Sequence, residues 1–147
     1  MKKVLFTLTL LASILNADLY KAVFDCASSN SRYIVSRMML IQKTKDMIQK
    51  SGDSVDFALT IHGGCVAMVS QNYEYIVPDD EIKYIKKAQE TLRELNKENV
   101  KITVCAMSLA ANAIDQEDVL EFVHISKNSY IDTIKYQNSG YALMPLK

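Results

Sequence analysis

Val55-Asp56-Phe57-Ala58-Leu59-Thr60-Ile61-His62-Gly63-Gly64-Cys65 is the stretch whose reading decides the fold. Residues 55–61 have the length and apolar content of a buried strand, and the run closes at a His-Gly-Gly-Cys junction. Upstream, residues 19–24 form a second short apolar run ending at Asp25-Cys26. Between the two runs, Ser28-Ser29-Asn30-Ser31 offers capping oxygens to a helix start. Ile34, Met38, Ile41, Lys45 and Ile48 then mark one helical face, and Gly52 suits a left-handed stop. One strand, one helix and one strand therefore stand in sequence.

The same alternation continues downstream. Residues 66–69 read as one short helical turn and residues 71–77 as irregular chain. Pro78-Asp79-Asp80 begins a helix with acidic groups at its positive end. Ile82, Ile85, Leu92 and Leu95 lie on one stripe of it, opposite Lys83, Lys86, Lys87, Arg93 and Glu94, which read as a solvated face. Residues 100–104 make a third strand ending at Cys105, and Ser108 caps a short helix through Ala113. Residues 120–125 are a fourth strand. Ser126 opens a helix with Tyr130, Ile131 and Ile134 turned inward, stopping near Gly140, and residues 141–144 are a last strand. Five alternations predict a three-layer α/β/α sandwich around a mainly parallel sheet of about five strands.

At 147 residues the chain suits a single domain, and 4 glycines with 2 prolines exclude collagenous or low-complexity types. Lysines and arginines number 17 against 17 acidic residues, so no basic surplus is available for a nucleic-acid partner. Met1-Lys2-Lys3, an apolar stretch over residues 4–15 and Asn16-Ala17 before Asp18 have the layout of a cleaved secretory signal. Twelve residues rise about 18 Å as a helix, short of a bilayer core of about 30 Å. The expected organisation is a signal over residues 1–17 and one domain over residues 18–147, periplasmic and free of the membrane after cleavage. Three cysteines are too few for a disulfide-dense scaffold.

Clefts in open parallel sheets lie beyond the carboxyl ends of the strands. Cys26, Cys65 and Cys105 all fall at such junctions. A thiol ahead of a helix start meets unpaired amides that favour the thiolate, the nucleophilic form. Cys105, with Ser108 three residues on, is the leading candidate, set against the default of a small inert hydrophobe. His62 has three functional readings, as base, proton shuttle or metal ligand, beside that of a core histidine bonded to a carbonyl. His62 and Cys65 could supply two metal ligands with Cys26 or Cys105, yet no second paired ligand motif accompanies them, and no resident metal is expected. No phosphate-binding or dinucleotide-binding glycine pattern and no G-x-S-x-G elbow is present, so no cofactor is expected.

The joint order of these elements resembles the DsrE/DsrF-like family over residues 19–146. The resemblance is carried by His62-Gly63-Gly64, by Ile102-Thr103-Val104-Cys105 followed by Ser108-Leu109-Ala110-Ala111, and by Gln137-Asn138-Ser139-Gly140-Tyr141-Ala142-Leu143-Met144-Pro145. It implies the three-layer fold, homotrimers or hexamers, and a Cys105 persulfide passed between sulfur donor and acceptor proteins. His62 would assist proton transfer, and Cys26 or Cys65 would resolve the persulfide. In an oxidising compartment two of the three thiols can pair and leave one free. Asn112-Ala113 stand where an Arg-Gly pair commonly follows the relay cysteine. The alternative reading is a non-catalytic oligomeric module binding a metal or small ligand, with structural cysteines.

Overall fold

A computed structural model describes residues 17–147. Residues 1–16, on which the export-signal reading rests, lie outside those described. Five parallel strands form one sheet: β1 (Leu19–Cys26), β2 (Ser54–Ile61), β3 (Lys101–Cys105), β4 (His124–Ser126) and β5 (Ala142–Leu146). Their spatial order is β4-β3-β2-β1-β5, so β2 is central between β3 and β1, and the last strand returns to the edge beside the first. The chain between strands forms α1 (Ser31–Lys50), α2 (Ile82–Lys97), α3 (Ala106–Ala111) and α4 (Ser129–Asn138), with a 3-10 stretch at Gly63–Val69.

Strand alternation divides the sheet into two unequal faces. Phe24 and Cys26 of β1, Leu59 and Ile61 of β2, and Ile102 and Val104 of β3 join the large core with α1 and α2. Fully buried Leu59, Ile61, Ile85, Leu92 and Leu95 belong to it, each stabilising the fold by about 1.5–3 kcal/mol. The opposite face is thinner: Val23, Ala58 and Tyr141 form a small cluster with Tyr136 of α4. Asn30 caps α1 by accepting from the Tyr33 N–H at 2.9 Å, and Gly52 takes φ +91° after it. Lys45, on the inward stripe of α1, is buried because Glu98 and Gln49 each receive its ammonium at 2.8 Å.

Several expected boundaries move, for local reasons. The long second helix starts at Ile82, since residues 78–81 first make a turn closed by Glu81 N–H to the Pro78 carbonyl at 2.8 Å. The fourth strand shrinks to His124–Ser126. Val119 instead bridges antiparallel to Ser70, and the Leu120 N–H donates to the Val69 carbonyl. The last helix is capped by Asn128 and not begun at Ser126, and the final strand runs to Leu146. Ser108 lies inside α3, whose cap position is held by Cys105, and the helix ends at Ala111.

The correction with the widest consequence concerns α4. Tyr130, Ile131 and Ile134 were expected inward, yet they are 64%, 50% and 58% exposed. The helix turns Ser129, Thr133 and Tyr136 toward the sheet. The reason lies underneath: near the carboxyl ends this face of the sheet presents the polar Asp25, Thr60 and Thr103, a surface that Thr133 meets at the Thr60 hydroxyl and that aliphatic side chains would strip of water without pairing.

Candidate functional site

Register explains which rim residues meet. Asp25 pairs with Thr60, Thr60 with Thr103, and Cys105 with Ser126. Asp25, Thr60, Thr103 and Cys105 therefore share the α4 face, whereas Cys26 points to the other one. The three cysteines stand on one rim as expected, but on two sides of it. Cys26 and Cys65, expected as resolving or ligand thiols, are joined as a disulfide with Cα atoms 5.9 Å apart. In that form neither offers a thiol to a persulfide or a thiolate to a metal, and both are wholly buried. Cys105 is the free cysteine.

The disulfide ties together the two loops that carry the polar groups. Asp25 precedes Cys26, and His62 stands three residues before Cys65. The His62 N–H donates to the Cys26 carbonyl at 2.9 Å. The two glycines serve this close approach. Gly63 has φ +54°, and a Cβ on Gly64 would lie 2.5 Å from the Ser29 Cβ and 2.8 Å from its Cα. Ser108 holds the loop from the other side by accepting from the Gly63 N–H at 3.1 Å, and Asn112 Nδ2 donates to the Gly63 carbonyl at 3.3 Å. Asn112 thus has a positioning task of its own at the place where the relay pattern carries arginine.

Asp25 and His62 form a pair, with His62 Nε2 at 3.2 Å from both carboxylate oxygens. Thr60 donates to Asp25 Oδ1 at 2.7 Å, and Thr133 of α4 lies 3.5 Å from the Thr60 hydroxyl. Burial pushes the Asp25 carboxyl up, but the bonds from His62 and Thr60 outweigh it, so its pKa is lowered. His62 is raised, first by its bond to Asp25, against burial, with smaller support from the charges of Asp25 and Cys105. The Tyr130 ring meets the imidazole edge-on at 5.8 Å.

Cys105 is only 4% exposed, as the default of a small inert hydrophobe would have it. Its surroundings are polar, however, and it belongs to neither aliphatic cluster. Burial pushes the thiol up. The N–H groups of Ser129 and Ser108, followed by the hydroxyls of Ser108 and Ser129, more than offset that and lower its pKa. Met107 and Tyr130, each 64% exposed, flank the position in sequence and along α4. Asp25, Thr60 and Ser129 were not singled out from the sequence. The available signal was a polar residue at each strand end in a run otherwise apolar. His124 opens β4 level with Thr103, exposed. An apolar groove of about 360 Å³ between α1 and β5, lined by Phe24, Tyr33, Phe57 and Met144, includes none of these groups.

A parallel five-stranded sheet with helices on both faces defines a small three-layer α/β protein, with its free cysteine at the end of a strand. The DsrE/DsrF-like family model matches residues 21–146, and the chain belongs to that family. It is 36% identical over 145 residues to an uncharacterised protein of Aquifex aeolicus. That match takes in 99% of this chain and 64% of the relative, so the chain spans under two thirds of the relative's length. Two solved structures share the fold. A protein of unknown function, MTH1491 from Methanobacterium thermoautotrophicum, superposes with TM-score 0.68 at 17% identity, over 86% of this chain and 98% of that one. The ychN protein from E. coli gives 0.57 at 15%, over 88% and 98%.

Proposed function

We propose that the protein is a sulfur carrier in which Cys105 accepts sulfane sulfur as a persulfide. The observation that carries this reading is a single free thiol, held toward its ionised form by Ser108 and Ser129, at the end of the strand next to the one that His62 of the Asp–His pair follows. In the uptake step the Cys105 thiolate attacks the outer sulfur of a donor persulfide, R–S–SH. A new S–S bond forms, the donor S–S bond breaks with its electron pair, and R–S⁻ leaves. Protonated His62 gives its proton to that leaving sulfur, so the products are Cys105–S–SH, RSH and neutral imidazole. Attack by an acceptor thiolate on the outer sulfur reverses the sequence and empties the carrier.

The compartment and the assembly belong to the same reading. A buried Cys26–Cys65 disulfide suits an oxidising location such as the periplasm, the compartment that an export signal over residues 1–17 would imply. The outward stripe of Tyr130, Ile131 and Ile134 suits self-association, a trimer or hexamer, next to the Cys105 site. The test is mass spectrometry after exposure to polysulfide, with the disulfide intact. The expected result is a gain of one sulfur atom in the wild type and none in Cys105→Ala. No gain, or a gain that persists in Cys105→Ala, would overturn the proposal.

A further inference from the structure

We infer that Asp25 is the positioning residue of this site: it fixes the His62 imidazole at the strand end beside Cys105, where the paired Ile61 and Val104 bring the two residues level, so that thiol and imidazole can exchange a proton as an ion pair. The purpose of the pair rests on the sulfur-carrier reading; its existence does not. Three features of geometry carry the inference. First, His62 Nε2 is committed to Asp25, 3.2 Å from both oxygens, which leaves Nδ1 as the ring nitrogen free to serve sulfur. Second, the carboxylate is itself oriented, because Thr60 donates to Oδ1 at 2.7 Å and register places the two residues side by side on β1 and β2. Third, Tyr130 closes against the ring edge-on, so the imidazole is held on two sides.

The chemistry follows from the hydrogen bond, since burial by itself opposes the charge on either group. A carboxylate that accepts from an adjacent imidazole favours the protonated ring. The groups that face the pair from the packed elements are Cys105 on β3, Tyr130 on α4 and Lys147 just beyond β5, whose charge reaches Asp25. Asp25 touches neither the sulfur nor its donor in this arrangement. It acts through His62, as the orienting carboxylate does in a nucleophile–base–acid triad. Asp25 thus favours the form of His62 that carries the proton for the leaving thiolate.

The test reads the thiol directly, with no sulfur donor present. Alkylation of Cys105 by iodoacetamide is followed from pH 5 to 9.5 with the disulfide intact, so that only one thiol reacts. In Asp25→Asn and in His62→Gln the profile is expected to move up by on the order of one pH unit, slowing the reaction at pH 6 about tenfold. All rates should converge near pH 9.5. The double variant should match either single one, because both remove the same ion pair, and Asp25→Glu should restore part of the shift. Thr60→Val keeps the charge but frees the carboxylate, and should move the profile the same way by less; it decides the matter if Asp25→Asn does not fold. An Asp25→Asn or Thr60→Val profile superimposed on the wild type would overturn the inference, as would additive effects of the two substitutions. The carrier reading fails separately: no sulfur uptake with the alkylation shift intact removes the function and leaves the ion pair standing.

Discussion

Replacing both Cys26 and Cys65 by alanine opens a loop whose ends are 39 positions apart. In the chain-entropy account, a cross-link of that span restricts the unfolded chain by about 4 kcal/mol at 25 °C. Both half-cystines are wholly buried in the α1/α2 core, so loss of their sulfur packing adds to the cost. For a domain of this size, whose total stability is on the order of 5–15 kcal/mol, that is a large fraction. It corresponds to a fall in melting temperature of about 15 °C. Urea unfolding of the wild type and the double variant, both under non-reducing conditions, measures the difference directly. We expect about 4 kcal/mol or slightly more, together with slower alkylation of Cys105 at pH 6, because the bond clamps the segments that carry Asp25 and His62. A difference below about 1 kcal/mol would refute the reasoning, since it would mean that the two loops are held just as well by their other contacts.

Stability should depend on pH through the Asp25–His62 pair. Asp25 is lowered in the fold, so its contribution is present above its unfolded value of about 3.9 and is lost as pH falls through the folded one. His62 is raised, so its contribution is complete below about 6.5 and is lost as pH rises through its folded value. Denaturant midpoints should therefore show a plateau between these limits, and His62→Gln should flatten the alkaline slope; an unchanged slope would contradict the pairing. Gly64→Ala places a methyl group against Ser29 and should cost about 1–3 kcal/mol, read by urea unfolding, whereas a neutral result would show that the loops have room to part. Ile131→Glu with Ile134→Glu should convert an oligomer into monomers in sedimentation velocity at little cost to folding, because both side chains are exposed within one chain.

Much of this was legible in the chain itself, and the exceptions have identifiable causes. The α1 and α2 stripes were readable because a 3.6-residue period over sixteen or twenty residues leaves one solution. The order of strands and helices followed from short apolar runs and their caps. The α4 stripe has the same period, yet it faces outward. Periodicity says that a helix has two unlike faces; the polar strand ends below decide which of them is buried. The fourth strand shortened because residues 119–120 found partners in residues 69–70, a contact between segments about 50 positions apart.

The sequence by itself determined the layered α/β architecture and the placing of Cys26, Cys65 and Cys105 on one rim, because both depend on local period and on where each run stops. Tertiary structure decided what those cysteines are. Strand order and register set Cys26 beside Cys65 on the core face, where they join, and set Cys105 on the opposite face with Asp25, His62, Ser108 and Ser129. A side chain's neighbours across a parallel sheet are fixed by pairings between distant segments, and no local stretch of chain encodes them.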